Sequence, residues 1–71
     1  MTPVKSTMAG TVFTVNVTEG EEVVVGQVVI VLESMKMEIP IEAETAGKVS
    51  AINVAVGDFV NEEDDLVIIE A

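Results

Sequence analysis

The chain has 71 residues, no cysteine, no histidine and a formal net charge of −10. A chain of this length is expected to form a single domain, residues 1–71, near the lower size limit at which a hydrophobic core alone sustains a fold. Its composition excludes a disulfide framework, a zinc site and thiol or imidazole catalysis by its own side chains, and its charge disfavours nucleic acid and anionic membranes as partners.

The amino terminus and the apolar content favour a cytoplasmic all-β protein. The opening MTPVKSTMAG lacks the apolar core of a secretory signal. The longest apolar run, residues 28–32, is too short to span a bilayer. Hydrophobic residues make up 49% of the chain, and most of them are valine and isoleucine, the β-branched types that suit pleated strands.

In chain order, the first predicted elements are a half-buried strand, a turn and a buried strand. TVFTVNVT carries Phe13, Val15 and Val17 on one parity and polar residues on the other, as expected for a strand with one buried face. TEGEEV places Gly20 where a turn requires a positive φ. QVVIVLE is a continuous apolar run, which is typical of a strand buried on both faces.

The next element is a predicted hairpin whose tip is residues 34–37. VVIVLE and EIPIEA are strand-like runs separated by Ser34, Met35, Lys36 and Met37. Two-residue hairpin turns require positive φ at both central positions, which favours Asn-Gly or Asp-Gly. Met-Lys is poor chemistry for such a turn, and a local rule broken at one exposed place indicates function.

The rest of the chain repeats the first part. Residues 8–33 align with residues 45–70 at an offset of 37, which places Gly10 on Gly47. Two similar halves of short strands and turns predict a small flattened barrel or sandwich with pseudo-two-fold symmetry. One departure is Glu63, which occupies the place of Gly26 and is expected to adopt a conformation that favours glycine. The acidic residues 62–65 lack the ligand spacing of a calcium loop, so we predict no metal site.

The lysine of the hairpin tip has three chemical interpretations. A solvated tip is the ordinary one, but methionines on both sides form an adaptable apolar collar that suits recognition by another protein. A nucleophilic lysine needs burial or a neighbouring cation, whereas Lys36 has Glu33 and Glu38 nearby and an exposed position. We therefore predict an attachment point that a separate enzyme modifies, and no catalytic residue in this chain.

These residues resemble a known family. ESMKMEIPIEA resembles the modification hairpin of the biotin carboxyl carrier (biotinyl domain) family, in which the target lysine lies between two methionines. The resemblance extends over MAGTV, VNVTEGEEVVVGQ, AETAGKV and the final GDFV and LVIIE. It implies a barrel-sandwich hybrid of two four-stranded antiparallel sheets. VTEGEEVVVGQ has no room for the thumb loop of some bacterial carriers, so the resemblance is to the thumbless type.

The resemblance also implies the roles of the tip residues. Lys36 receives biotin as an amide from a biotin protein ligase, and Met35 and Met37 serve ligase recognition and positioning, with Glu33 and Glu38 as nearby contributors. Lys5 and Lys48, which lack the methionine frame, stay unmodified. The attached biotin then carries a carboxyl group from a biotin carboxylase component to a carboxyltransferase component, and the chain itself is not an enzyme.

Two other functions are compatible with the sequence. A lipoyl carrier shares this fold and repeat but usually has Asp-Lys-Ala at the tip, and some free-standing domains of this kind accept lipoate, so a dual biotin and lipoate acceptor is a variant of the same hypothesis. An unmodified interaction module would engage a partner through the tip methionines alone. That module predicts that Lys36→Arg preserves function, whereas a carrier predicts complete loss.

Overall fold

The computed structural model describes residues 1–71, and all of its regular secondary structure is β-strand. The eight strands are β1 (Thr2–Lys5), β2 (Gly10–Val15), β3 (Glu22–Val23), β4 (Val28–Ser34), β5 (Met37–Glu42), β6 (Gly47–Ile52), β7 (Phe59–Val60) and β8 (Asp65–Glu70). The predicted all-β class is confirmed. No helix with the length and hydropathy needed to cross a membrane is present.

The strands form two antiparallel sheets of four. One sheet has the order β1-β8-β6-β3 and the other, which we call the hairpin sheet, has the order β5-β4-β2-β7. Exchanging each strand for its counterpart in the other half (β1 with β5, β2 with β6, β3 with β7, β4 with β8) converts one order into the other. Each sheet therefore contains strands from both halves, and the predicted sandwich with pseudo-two-fold symmetry is confirmed.

A β-bulge changes the predicted faces of the first long strand. The register between β2 and β4 shifts between Val12 and Thr14, which leaves Phe13 as an extra residue opposite the partner strand. The register between β6 and β8 shifts at the equivalent residue, Ser50. Val12 is buried and Phe13 is 45% exposed, so the expected grouping of Phe13 with the buried Val17 fails at this bulge.

A second pair of bulges explains the continuous apolar runs. The register between β4 and β5 shifts between Val28 and Ile30, and β8 has the equivalent irregularity against β1. As a result, the neighbouring residues Val29 and Ile30 are both fully buried, whereas Val28 and Val31 are only half-buried. The run therefore reflects a bulge that turns two successive side chains towards the core, and not burial on both faces of the strand.

The core lies between the two sheets and is built mainly from β-branched side chains. It contains 14 buried residues: Val4, Val12, Val17, Val23, Val29, Ile30, Leu32, Ile41, Ala43, Val49, Val60, Leu66, Val67 and Ile69. The buried hydroxyl of Ser6 donates to the carbonyl of Met8, and no buried side-chain polar atom lacks a hydrogen-bond partner. A well-packed and polar-satisfied core of this kind gives the β4–β5 hairpin a rigid base.

Candidate functional site

The candidate site is the tip of the β4–β5 hairpin. The two strands are paired from Val28 opposite Glu42 up to Ser34 opposite Met37. Only Met35 and Lys36 lie between the last paired residues, so the turn has the minimum length that joins two antiparallel strands. Leu32 and Ile41 anchor the two strands in the core.

Both turn residues adopt the left-handed conformation that the sequence predicts. Met35 has a φ of 52° and Lys36 a φ of 64°, and positive φ at both central positions defines a type I′ turn. For a residue that has a Cβ, the left-handed backbone conformation costs about 1–2 kcal/mol relative to the right-handed one. The tip is therefore a strained place that the long paired strands hold in one conformation.

The tip side chains project into solvent. Met35 is 90% exposed and Met37 is 62% exposed, and Lys36 is also exposed. The amine of Lys36 has no hydrogen-bond or ion-pair partner. The site thus presents one free amine between two flexible thioethers, which can adapt to an apolar surface.

The two glutamates of the site face each other across the hairpin. Glu33 pairs directly with Glu38, one residue below the closing pair of Ser34 and Met37, and both glutamates are exposed. Directly paired residues of an antiparallel sheet share a face, and like charges there weaken the hairpin. The structure therefore brings all five predicted site residues within a single hairpin end, with a paired acidic group beneath the lysine.

The other two lysines lie on regular strands of the sheet that does not contain the hairpin. Lys5 in β1 forms an ion pair of 2.7 Å with Asp65, and the hydrogen bond to Asp65 raises the pKa of Lys5. Lys48 in β6 pairs across the sheet with Glu22 and Glu70. Neither lysine lies in a turn or between methionines, so Lys36 is the only lysine at a projecting hairpin tip.

The structure contains neither a pocket nor a group of three acidic residues that could hold a metal ion.

One surface feature was not predicted from the sequence: Phe13 and Phe59 are both substantially exposed, at 45% and 66%. A comparison of the two repeat halves would have found it, because the equivalent positions carry Ser50 and Glu22.

The site is an exposed lysine on a strained turn of a small two-fold sandwich, and comparisons with known proteins identify the family. The model of a family described as "Biotin-requiring enzyme" matches residues 2–69. The chain belongs to this biotin and lipoyl attachment family, as the sequence predicts.

Individual relatives agree with this assignment. The chain is 51% identical to the Biotin/lipoyl attachment protein of Bacillus subtilis strain 168 over 83% of its own length and 81% of the relative. It is 42% identical to the Biotinylated protein TB7.3 homolog of Mycobacterium leprae, over 93% of both chains. Among solved structures, Kluyveromyces lactis urea carboxylase matches with a TM-score of 0.91 and 30% identity, covering 97% of this chain and 6% of that protein.

Proposed function

We propose that this protein is a biotin carboxyl carrier in which Lys36 is the point of biotin attachment. The observation that carries the proposal is the free, exposed amine of Lys36 on a left-handed two-residue turn between two exposed methionines. The function is that of a carrier for biotin-dependent carboxylases, and the family match supports it. The chain serves as the mobile acceptor, and the carboxylase components supply the catalytic groups.

The residues of the tip have distinct tasks in the attachment reaction. The amine of Lys36 loses a proton and displaces AMP from biotinyl-adenylate on a biotin protein ligase, so that an amide bond forms. Met35 and Met37 fill apolar contacts of the ligase on either side of the lysine. Glu33 and Glu38 lie one residue pair lower, where they attract basic side chains at the edge of the ligase active site.

The fold supplies a rigid support for the modified lysine. Once attached, biotin provides a ring nitrogen that accepts and donates a carboxyl group. The turn fixes the backbone of Lys36, while the side chain itself remains free to swing between a biotin carboxylase and a carboxyltransferase component. Tethering keeps the attached group at a high effective concentration at both sites without free diffusion.

The test is the intact mass of the protein after incubation with a biotin protein ligase, ATP and biotin. The wild type should gain the mass of one biotin, and Lys36→Arg, which keeps the charge and removes the acylatable amine, should gain none. A parallel reaction with a lipoate ligase distinguishes the carriers: addition of one lipoyl group without biotin would assign the protein to acyl transfer. If a folded wild type gained neither group, that result would contradict a carrier function. An unmodified interaction module would then be the remaining interpretation.

A further inference from the structure

The repeat provides an internal control for surface composition, and two exposed apolar surfaces depart from it. One is the pair Val24 and Val25, whose equivalents are Asn61 and Glu62. The other lies on the hairpin sheet. Three exposed apolar residues, which we call the phenylalanine patch, are Phe13, Val56 and Phe59, with exposures of 45%, 66% and 66%. The equivalent positions in the other half carry the polar residues Ser50, Glu19 and Glu22. Because the same backbone accepts polar residues there, the fold itself does not require the apolar side chains.

The three residues of the patch lie at one corner of the hairpin sheet. Phe59 pairs directly with Thr11 across β7 and β2, and Phe13 lies two residues further along β2. The carbonyl of Val12 accepts a hydrogen bond of 2.9 Å from the backbone N–H of Gly57. This bond holds the turn that contains Val56 against the same part of β2.

The patch shares a sheet face with the glutamates of the hairpin tip. Glu38 pairs with Glu33, Glu33 with Thr11, and Thr11 with Phe59, so these four exposed residues form one row on the outer face. The row lies directly below the closing pair of the hairpin. Three strand spacings separate its two ends, which corresponds to about 14 Å.

The charges on the outer face of the hairpin sheet indicate which kind of partner surface is complementary to it. The strands of the hairpin sheet contain no lysine or arginine, and Lys36 at the tip is the only cation near the face. Glu33 and Glu38 lie in the same row as Phe59, Asp58 precedes Phe59 in the chain, and all three acidic residues are exposed. A protein surface with an apolar pocket and a basic rim is complementary, whereas two copies of a chain of net charge −10 repel each other.

We infer that the phenylalanine patch is a second docking contact for the biotin protein ligase, an inference that rests on the proposed function. Before modification, the amine of Lys36 extends only about 6 Å from the backbone, so the ligase must lie against the hairpin tip. An interface of ordinary size covers about 800 Å² on each partner, which is wide enough to include Phe59. Aromatic side chains are common among the residues that anchor protein interfaces. After modification the longer arm lets the carboxylase components work with the domain body further away.

The test compares two pairs of charge-neutral substitutions. Phe13→Ser with Phe59→Thr removes both aromatic rings of the patch. The control, Val24→Thr with Val25→Thr, changes residues of similar exposure, 63% and 65%. The control turn lies beyond Val28, at the opposite end of β4 from the tip. That separation is about 20 Å along the strand.

The readout is the steady-state rate of biotinylation by the biotin protein ligase of the same cell, with ATP and biotin saturating. We expect kcat/KM to fall at least tenfold in the patch variant, through KM, with kcat nearly unchanged, and to stay within twofold of wild type in the control. After long incubation the patch variant should still gain one biotin, which shows that the attachment site and fold are intact.

Three results would overturn the inference while leaving the carrier function in place. The first is a folded patch variant with kcat/KM within twofold of wild type, and the second is an equal loss in the control. The third is a wild type that sediments as a dimer and a patch variant that sediments as a monomer, with no difference in the rate of ligation. That result would assign the patch to self-association. A wild type that takes no biotin at all would instead contradict the proposed function.

Discussion

Gly26 and Glu63 occupy equivalent turns with the same left-handed backbone, at φ values of 89° and 76°. The N–H of Gly26 donates to Ala43 at 2.9 Å, and the N–H of Glu63 donates to Ser6 at 2.8 Å. These acceptors are themselves equivalent in the repeat. The expectation that Glu63 adopts a conformation favouring glycine is therefore confirmed, and the second half of the chain retains a strained residue that the first half avoids.

Glu63→Gly should stabilise the protein. Removing the Cβ relieves a left-handed penalty of about 1–2 kcal/mol, part of which is offset by the greater flexibility of glycine in the unfolded chain. The expected gain in the free energy of unfolding is about 0.5–1 kcal/mol, measured by urea denaturation. Gly26→Ala is the matched control: its Cβ would contact nothing within 4 Å, so its expected loss of about 1 kcal/mol reports the backbone alone. A less stable Glu63→Gly variant would contradict the assignment of strain.

The hairpin tip should show a conflict between stability and function. Replacing Met35 and Lys36 by Asn and Gly supplies the residues that a type I′ turn favours, and we expect the free energy of unfolding to rise by about 1–2 kcal/mol. The same variant should accept no biotin. The single variant Met35→Asn retains the lysine and should gain part of the stability while being biotinylated more slowly. Thermal unfolding and intact mass measure the two effects, and an unchanged melting temperature in both variants would contradict a strained turn.

The repeated glycines Gly10 and Gly47 should differ in their tolerance of alanine. A Cβ on Gly47 would lie 2.5 Å from the carbonyl oxygen of Glu70 and 2.9 Å from Cγ2 of Ile69, whereas a Cβ on Gly10 would lie 3.0 Å from the carbonyl oxygen of Glu33. Gly47→Ala must therefore displace a strand, and overpacking of this kind costs about 1–3 kcal/mol. We expect Gly10→Ala to lose clearly less in urea denaturation. Equal losses would show that the strands adjust freely.

The contribution of the ion pair between Lys5 and Asp65 to stability should be lost at high pH. The hydrogen bond to Asp65 raises the pKa of Lys5 above its ordinary value of 10.5, and the charge of Asp65 acts in the same direction. Because this pKa is raised in the folded protein, the stabilising contribution is fully present below the unfolded pKa and is lost as the pH rises through the folded pKa. Both side chains are nearly half exposed, so the effect on stability is small.

Asp65→Asn is the variant that tests this pair. We expect the pKa of Lys5, followed by NMR of its side-chain carbon next to the amine, to fall towards its ordinary value in this variant. An unchanged pKa of Lys5 would show that the pair does not persist in solution.

Much of the architecture follows from local sequence rules. The spacing of Gly10 and Gly47 identifies the repeat, and the repeat implies the two-fold sandwich. The rule for two-residue hairpins predicts the positive φ values of Met35 and Lys36, although neither residue favours them. The repeat is predictable because matching residues recur at a fixed spacing, and the turn is predictable because it depends on a few neighbouring residues.

The remaining features depend on strand register, which alternation alone does not encode. A bulge inserts one residue without any change in composition, so the outward position of Phe13 follows only once β2 is paired with β4. The direct opposition of Glu33 and Glu38 likewise arises from the register of the hairpin. The phenylalanine patch needs both the bulge and the pairing of β7 with β2, which brings together residues far apart in the chain.

We expect the geometry of one hairpin to make Lys36 the acceptor among the three lysines. The most direct measurement is peptide mapping by tandem mass spectrometry of the wild-type protein after complete reaction with a biotin protein ligase, ATP and biotin. We predict biotin on the peptide that contains Lys36 and none on the peptides that contain Lys5 or Lys48. Biotin on Lys5 or Lys48, or on the Lys36→Arg variant treated in the same way, would contradict the assignment of Lys36 as the acceptor.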